Sequence, residues 1–477
     1  MSGIEEAFSG IATAIGVALL ALAALQILVQ VAQLVGALAA MRRGPVETGS
    51  RGLWRRTGEA LPPITLIAPA YNEVASVVES VRSLLNLRYP QFEVVVVNDG
   101  STDATLAALV EAFQLTPTRR SVDMQANCRP LRGLYASPHQ ARLLVIDKAN
   151  GGKADALNAG LNLARYPLVC AMDSDSLLEP QALLQAVQPF LDDPDRVIAV
   201  GGSIRIVNGC RVEDGRVSEV KLPDKILPLF QVGEYCRAFM IARMAWGHVG
   251  ALTIISGAFG LFRRDAALAV GGYSHGTVGE DMELILKLHR WFLDRGLAYR
   301  IAFAPDPVCW TQAPDTLRDL GRQRARWQRG ALETFSRHAD MLFRRRYGRV
   351  GALAMGNVLV TDVLGPCGEI AAYVLLPLFA VTGALSWAYL SAFLAMSVGF
   401  GVAISVAGLA LDETQKSRAS SIGALLRLLN AAVIENLGYR QLCNYWRVVG
   451  SLQFLRGDQG WGTMNRSGFS PRVPANA

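Results

Sequence analysis

From Phe8 to Ala40 no residue carries a charge, a run longer than the roughly 20 residues an α-helix needs to cross a bilayer. No small-residue cleavage site follows a short apolar core, so the run predicts a tilted membrane helix and not a signal peptide. Glu5 and Glu6 precede it, and Arg42, Arg43, Arg51, Arg55 and Arg56 follow it. That asymmetry predicts an outside amino end and a cytoplasmic segment after Met41, as in a multi-pass protein of the cytoplasmic (inner) membrane. The 477 residues are 51% hydrophobic, too apolar for an ordinary soluble enzyme and enough for one large domain plus further membrane segments.

Residues 61–206 alternate strand and helix signals. Ile64-Thr65-Leu66-Ile67-Ala68, Phe92 to Val97, Arg142 to Ile146 and Pro167 to Ala171 are short apolar runs that predict buried strands. Between them, Val74–Leu85, a stretch from about Asp103, and Ala154–Ala164 carry helical periodicity. Repeated βα units predict a mostly parallel, doubly wound sheet, with ligands bound outside the carboxyl ends of the strands. Tyr71, Glu73, Asp99, Lys153, Asp173 and Asp175 all fall on that rim.

The last of these strands runs into Met172-Asp173-Ser174-Asp175. Strand alternation puts Asp173 and Asp175 on one face, a seat for a hard divalent cation. The chain has five His and seven Cys, with no CxxC and no His/Cys cluster. A catalytic metal must therefore rest on carboxylate and phosphate oxygen, which selects Mg²⁺ or Mn²⁺ over zinc. Isolated thiols in odd number indicate a reducing compartment. The net charge of +7 suits nucleic acid, an anionic membrane face or a phosphorylated substrate. No helix-turn-helix, zinc-finger or RNA-binding signature is present, so nucleic acid is set aside as a partner.

Other motifs are individually weak. Asn98-Asp99-Gly100-Ser101 is a good turn whatever the function, and Asp99 is also suited to accept a uracil N–H. Gly151-Gly152-Lys153 lacks the spacing of a phosphate loop, yet a rim lysine suits a diphosphate. Gly279-Glu280-Asp281 opens an amphipathic helix through Leu284, Leu288 and Trp291. Its carboxylates either complement the helix dipole or serve as a general base toward an acceptor hydroxyl. Gln323, Arg326 and Trp327 are spaced i, i+3, i+4 and share a helix face. A guanidinium fits a diphosphate, and an indole makes a flat platform for a sugar ring. A cationic helix lying on the membrane is the plainer alternative.

Taken in order, Asp99, Asp173-Ser174-Asp175, Gly279-Glu280-Asp281 and Gln323-Arg324-Ala325-Arg326-Trp327 resemble the motif set of processive family-2 glycosyltransferases, the group of cellulose, chitin, hyaluronan and poly-N-acetylglucosamine synthases. The ordered set carries the resemblance over about Leu61 to Gly330. It implies an α/β GT-A (Rossmann-like, mostly parallel sheet) catalytic domain embedded between transmembrane and interfacial α-helices, and a UDP-sugar donor. Tyr71, Glu73, Asp99, Lys153 and Asp173 would then hold the nucleotide. Asp175, with Asp173, would bind the metal. Asp281, beside Glu280, would be the base, and Gln323, Arg326 and Trp327 would meet diphosphate and acceptor. Gly279 departs from the pattern, since relatives often have Thr there. Trp461-Gly462-Thr463-Met464-Asn465-Arg466 resembles a gating loop, with Trp461, Thr463 and Arg466 in its roles, although two residues separate Thr463 from Arg466.

The expected domains are a transmembrane helix and linker (1–60), a cytoplasmic GT-A domain (61–330), interfacial and transmembrane helices (331–455) and the gating-loop-like tail (456–477). Leu332, Phe335, Ala339 and Leu342, followed by Arg344, Arg345, Arg346 and Arg349, predict an amphipathic helix on anionic lipid. Gly351–Leu364 reads as half-inserted, broken by Gly365-Pro366. Spans are expected near Ile370–Thr382 and Trp387–Leu411, and an interfacial helix over Ile422–Tyr445. Glu369 is an intramembrane ionisable residue, suited to a sugar path or to burial against a neighbour. No basic regulatory domain follows, so control by a cyclic dinucleotide within this chain is not expected.

The expected activity is inverting transfer from the UDP-sugar to a growing glycan acceptor, giving a β-linked polysaccharide that is moved across the bilayer. A non-processive enzyme adding single sugars to a lipid is the alternative, and a non-catalytic scaffold conflicts with the intact acidic set. Sugar, linkage, oligomeric state and envelope export partners are not encoded in these motifs.

Overall fold

The computed structural model describes residues 2–42, 61–174, 176–213, 215–415 and 421–458. They form two compact units that do not follow chain order: an α/β unit (61–223 and 252–313) and a helical unit (2–42, 224–251 and 314–458).

The α/β unit is built on strands β1 (Ile64–Ala70), β2 (Phe92–Asn98), β3 (Thr116–Pro117), β4 (Leu131–Ala136), β5 (Leu143–Lys148) and β6 (Leu168–Met172). It is completed by β7 (Ser176–Leu178), β8 (Val197–Ile206), a small hairpin of β9 (Arg211–Glu213) and β10 (Arg216–Glu219), then β11 (Phe259–Arg263) and β12 (Arg300–Thr311). Apart from the hairpin they make one sheet in the order β3-β4-β5-β2-β1-β6-β11-β8-β12-β7. Its core, β5-β2-β1-β6, is parallel, with Ile64 level with Phe92 on one side and with Leu168 on the other. Antiparallel β4 and β11 border this core. β1 and β2 are buried on both faces, which is why Val94-Val95-Val96-Val97 reads as a continuous apolar run and not as an alternation.

Helices fill the crossovers where periodicity places them: Val77–Leu85, Thr105–Phe113 and Lys153–Leu163. The last lies so close to β1 that a Cβ on Gly160 would sit 2.3 Å from Ile67 Cγ2. Strand order reverses direction at β1, whose neighbours are β2 and β6. The crevice beyond the carboxyl ends of β1 and β6 is therefore the topological switch point, the expected ligand position in such sheets.

The helical unit holds three helices long and apolar enough to cross a membrane: Glu6–Arg42, Val350–Val381 and Trp387–Thr414. Ala12, Ala372, Leu376, Phe379, Leu385 and Phe393 pack in a common core. Gln33 Nε2 donates to Asn357 Oδ1 at 3.1 Å, and Gln26 Nε2 to the Val360 carbonyl at 3.5 Å, so amides tie the first helix to the second.

Three expectations change here. The single helix expected over Ile422–Tyr445 is broken at Leu437 (φ −112°) and Gly438 (φ +123°), which separate Ile422–Ile434 from a new helix Arg440–Arg456. The helix carrying Leu332 and Phe335 ends at Arg337, and short 3₁₀ turns at Ala339–Met341 and Arg345–Tyr347 replace the predicted continuation through Leu342. Gly365-Pro366 does not break the second span, which runs on as one helix from Val350 to Val381. Pro366 has no N–H to give the carbonyl one turn back. That carbonyl, Asp362 O, accepts instead from Gln328 Nε2 at 2.5 Å, and Thr361 O accepts from Arg447 Nη2 at 3.0 Å. Wide π-type turns at Leu359–Leu364 absorb the misfit. Glu369 is buried against Arg440, Nε to Oε1 3.2 Å.

Candidate active site

Four strand ends of the α/β unit carry the expected donor residues. β1 delivers Tyr71, which is exposed, and Glu73, which is buried. Glu73 Oε2 accepts from Ser76 Oγ at 2.8 Å, and its amide donates to Thr105 Oγ1 at 2.9 Å. This carboxylate thus organises the start of the helix after β1.

Asp99, at the end of β2, is almost wholly engaged by the loop after β5. Oδ1 lies 2.5 Å from Lys148 Nζ and accepts from Gly151 N at 3.1 Å. Oδ2 accepts from Gly152 N at 2.7 Å and from Asn150 Nδ2 at 3.2 Å. Lys148 is fully buried and reaches a second carboxylate, Asp155 Oδ1, also at 2.5 Å. Burial alone would raise the Asp155 carboxyl pKa; the Lys148 ammonium, the Arg129 amide and His275 outweigh it and hold the pKa below the ordinary value. The cluster fixes Gly151-Gly152 in a tight turn, with Gly152 at φ +87°, a conformation that favours glycine. The turn launches the helix that begins with Lys153.

Lys153 Nζ lies 2.5 Å from Asp173 Oδ1, at the end of β6, and 3.2 Å from Glu280 Oε1. Burial alone would depress its pKa; the charges of Asp173, Glu280 and Asp281 prevail and raise it above the ordinary lysine value. Glu280 is pushed the opposite way from a typical ion-paired acid. Burial raises its carboxyl pKa, with Lys153 opposing and Asp281 adding to the rise. Asp281 is only half-buried. Its Oδ2 accepts from Gly257 N at 3.1 Å and its Oδ1 from Met282 N at 2.8 Å. Glu280–Asp294 is a helix whose cap is Gly279, which offers no side chain. The Met282 amide that a cap side chain would meet is met by Asp281 Oδ1 instead, and Gly279 N donates to Thr277 Oγ1 at 3.1 Å. Lys153, Ser256, Gly257, Tyr273, Glu280 and Asp281 line one small cavity.

The expected acids Asp173, Glu280 and Asp281 and the expected Lys153 are thereby brought together at the switch-point edge. Asp175 and the Trp461–Arg466 segment, with Thr463, lie outside the described residues. Gln323, Arg326 and Trp327 belong to the helical unit, on the helix Leu317–Arg337. There Gln323 is buried, Trp327 is exposed, and the Arg324 guanidinium stacks 4.5 Å from the Trp327 ring centroid.

Among the described residues no three or more His, Cys, Asp or Glu side chains gather as a ready-made metal cage. The carboxylates do already hold one cation, the Lys153 ammonium. Their all-oxygen chemistry fits Mg²⁺ or Mn²⁺, with further ligands from a diphosphate.

Sequence reasoning missed Lys148, Asp155 and Tyr273. Lys148 had a signal: a cation closing an apolar strand, next to Asp147 and five residues before Lys153. Tyr273 follows Gly271-Gly272. Its amide donates to Asn158 Oδ1 at 2.8 Å and its carbonyl accepts from Asn158 Nδ2 at 2.9 Å, which fixes the loop against the Lys153 helix.

Residues 62–330 match the family model described as glycosyltransferase like family 2. A poly-β-1,6-N-acetyl-D-glucosamine synthase of Staphylococcus epidermidis is 29% identical over 274 residues, covering 57% of this chain and 56% of that protein. The synthase of the same name from Staphylococcus aureus strain COL is 30% identical over 279 residues, covering 58% and 57%. The chain thus spans little more than half the length of these relatives. Among solved structures, the mannosyltransferase PcManGT of Pyrobaculum calidifontis, in complex with GDP-Man and Mn²⁺, superposes with a TM-score of 0.54 at 20% identity, covering 91% of this chain and 99% of that one. The fold is the expected GT-A α/β class with added helices.

Proposed function

The chain belongs to the glycosyltransferase-like family 2, whose model covers residues 62–330, and from that premise we propose that it is a membrane-bound inverting glycosyltransferase that polymerises sugar from a UDP-sugar into a β-linked polysaccharide. The observation that carries this reading is the meeting of Asp173, Lys153, Glu280 and Asp281 at the carboxyl edge of β1 and β6. Similarity to two poly-β-1,6-N-acetyl-D-glucosamine synthases favours N-acetylglucosamine as the transferred sugar.

In the proposed reaction Asp281 takes the proton of the acceptor hydroxyl. The hydroxyl oxygen forms a bond to the anomeric carbon while the bond from that carbon to the diphosphate oxygen breaks, its electron pair leaving with UDP. Attack from the opposite face inverts the α-linked donor to a β-linked product. The amide of Gly257 holds Asp281 in orientation, and Glu280 Oε1 lies 3.2 Å from Lys153 Nζ. Lys153 turns its charge from Asp173 toward the diphosphate as charge builds there. A divalent ion on Asp173 and Asp175, when bound, would neutralise the same charge. By family likeness Tyr71, Glu73 and Asp99 serve the nucleotide side. Gln323 and Arg326 serve the diphosphate, Trp327 the acceptor, and Trp461, Thr463 and Arg466 close over the donor. The elongating glycan then passes from the Trp327 platform into the helices of Gly351 to Leu411, with the bilayer as partner.

Membranes carrying the chain, incubated with radiolabelled UDP-N-acetylglucosamine and Mg²⁺ or Mn²⁺, should make a high-molecular-weight product on a gel. Asp281→Asn should cut transfer by at least 10³-fold and leave UDP binding within about threefold. Undiminished polymer from that variant removes the base assignment. A single-sugar glycolipid product removes the polymerase reading.

A further inference from the structure

The helix Leu317–Arg337 carries one charged residue inside its Gln/Arg/Trp motif that the proposed chemistry leaves idle. Gln323, Arg326 and Trp327 serve diphosphate and acceptor, whereas the Arg324 side chain among them is only 3% exposed. A guanidinium at that depth needs partners for its charge and its N–H groups.

Arg324 finds oxygen on three elements. Its Nη2 lies 2.6 Å from Glu234 Oε2, on the helix Ile226–Cys236, and donates to Tyr439 Oη at 3.4 Å. Its Nη1 donates to Gln323 Oε1 at 3.2 Å. Tyr439 Oη donates to the same Glu234 Oε2 at 2.8 Å, and its ring packs with a centroid distance of 5.1 Å against Phe230. The departure from helical geometry at Leu437 and Gly438 sets Tyr439 at the head of the helix Arg440–Arg456. That helix lies close against the one bearing Arg324. A Cβ on Gly450 would sit 2.4 Å from the Ala325 carbonyl oxygen, and one on Gly321 would sit 2.7 Å from the Trp446 indole. The guanidinium is therefore held by its hydrogen bonds and by a helix with little room to roll.

Trp327 is in the opposite situation. It is 42% exposed, and a solvent-facing indole can hop between rotamers. The Arg324 guanidinium lies over its ring, 4.5 Å from the centroid. The two residues are spaced i, i+3 on one helix face, so an immobile cation covers one face of a half-open ring. Glu234 already neutralises Arg324, so the contact orients the ring without setting a free charge beside it. We propose that Arg324 is a positioning residue: it fixes the plane of the Trp327 indole, so that an acceptor sugar meets a platform already in place and does not have to order it. The proposal rests on the reading of Trp327 as acceptor platform and adds the residue that aims it.

The test uses the full-length chain in lipid nanodiscs, with its tryptophans replaced by fluorotryptophan. The Trp327 fluorine resonance is the one that Trp327→Phe removes. Arg324→Lys keeps a charge for Glu234 but not the flat fork that stacks on the ring. It should shift or broaden that resonance. It should also raise KM for a β-linked N-acetylglucosamine oligosaccharide about fivefold or more, with kcat at saturating acceptor within about twofold of the wild type. Tyr439→Phe takes one hydroxyl from the cluster and should move both readouts the same way, the acceptor KM by about twofold or more; it carries the test if Arg324→Lys does not fold. A resonance that neither substitution moves overturns the inference, even where Tm falls, because the ion pair is then merely structural. A resonance that moves while the acceptor KM stays put defeats the platform reading of Trp327 and leaves the orienting contact standing.

Discussion

Replacing Lys148 by Met removes one buried ammonium from between two buried carboxylates. Lys148 Nζ is 2.5 Å from both Asp99 Oδ1 and Asp155 Oδ1, with side-chain exposures of 0% for the lysine and 4% for each acid. Breaking a buried ion pair from one side costs roughly 3–5 kcal/mol, because the partner stays buried and charged. Here the acids keep other donors: Gly151 N, Gly152 N and Asn150 Nδ2 for Asp99, and Arg129 N with His275 for Asp155. The loss should therefore fall near the lower end, about 3 kcal/mol. At roughly 2–4 °C per kcal/mol for a unit of this size, Tm should drop on the order of 6–12 °C. The loop Ala149–Gly152 is also released, and with it the launch point of Lys153, so KM for the donor should rise at least about tenfold while kcat falls less. Arg211→Met is the control. Its partner Glu213 lies at 2.8 Å, but both are exposed, and the change should stay within about 0.5 kcal/mol. Thermal unfolding and donor titration of the purified full-length chain check both effects. A Lys148→Met protein as stable as Arg211→Met, with an unaltered donor KM, refutes the reasoning.

Three further expectations follow from neighbouring features. Lys153→Met should lower kcat by 10²-fold or more and lift the opposing charge from Glu280, whereas Lys153→Arg should recover part of the rate; equal loss in both would argue that packing, and not charge, matters there. Gly160→Val should destabilise by at least about 1–3 kcal/mol, since its Cβ would press to 2.3 Å of Ile67 Cγ2, and an unchanged Tm would contradict the close approach. His289 is fully enclosed, accepting from Tyr299 Oη at 2.6 Å and donating to Leu252 O at 2.8 Å, and burial pushes its pKa down from 6.5 to about 4. The unfolded chain then binds a proton that the folded one refuses. Its stabilisation is complete above pH 6.5 and is lost as pH falls toward 4, by up to about 3 kcal/mol. His289→Gln should flatten the Tm profile across that window.

The parallel core of the sheet was legible because its strands, buried on both faces, leave unbroken apolar runs such as Val94 to Val97. The rim residues were legible because a parallel sheet gathers the loops after its strands on one edge. Lys148 escaped notice because pairing, not hydrophobicity, puts it inside, and its acids come from Asp99 and Asp155 on opposite sides of it in the chain. The continuity of the helix past Pro366 was hidden for the same kind of reason. The carbonyl that Pro366 leaves free, that of Asp362, is met by Gln328, a residue no local pattern connects with it. The stop at Arg337 was missed because Leu342 fits the periodicity of the preceding turns, while the backbone leaves helical geometry at His338 (φ −114°, ψ 14°) and again at Leu342 (φ −59°, ψ 124°).

The hydrogen bonds from the Gln33 amide to Asn357 and from the Gln26 amide to the Val360 carbonyl join residues 324 and 334 positions apart. On the proposed membrane-bound reading, the first helix would enter the bilayer long before its partners leave the ribosome. For that interval its glutamines face lipid, or whatever insertion machinery shelters them, with nothing to bond to. A nascent chain arrested before Asn357 would therefore keep Gln26 and Gln33 without the partners that the finished chain supplies.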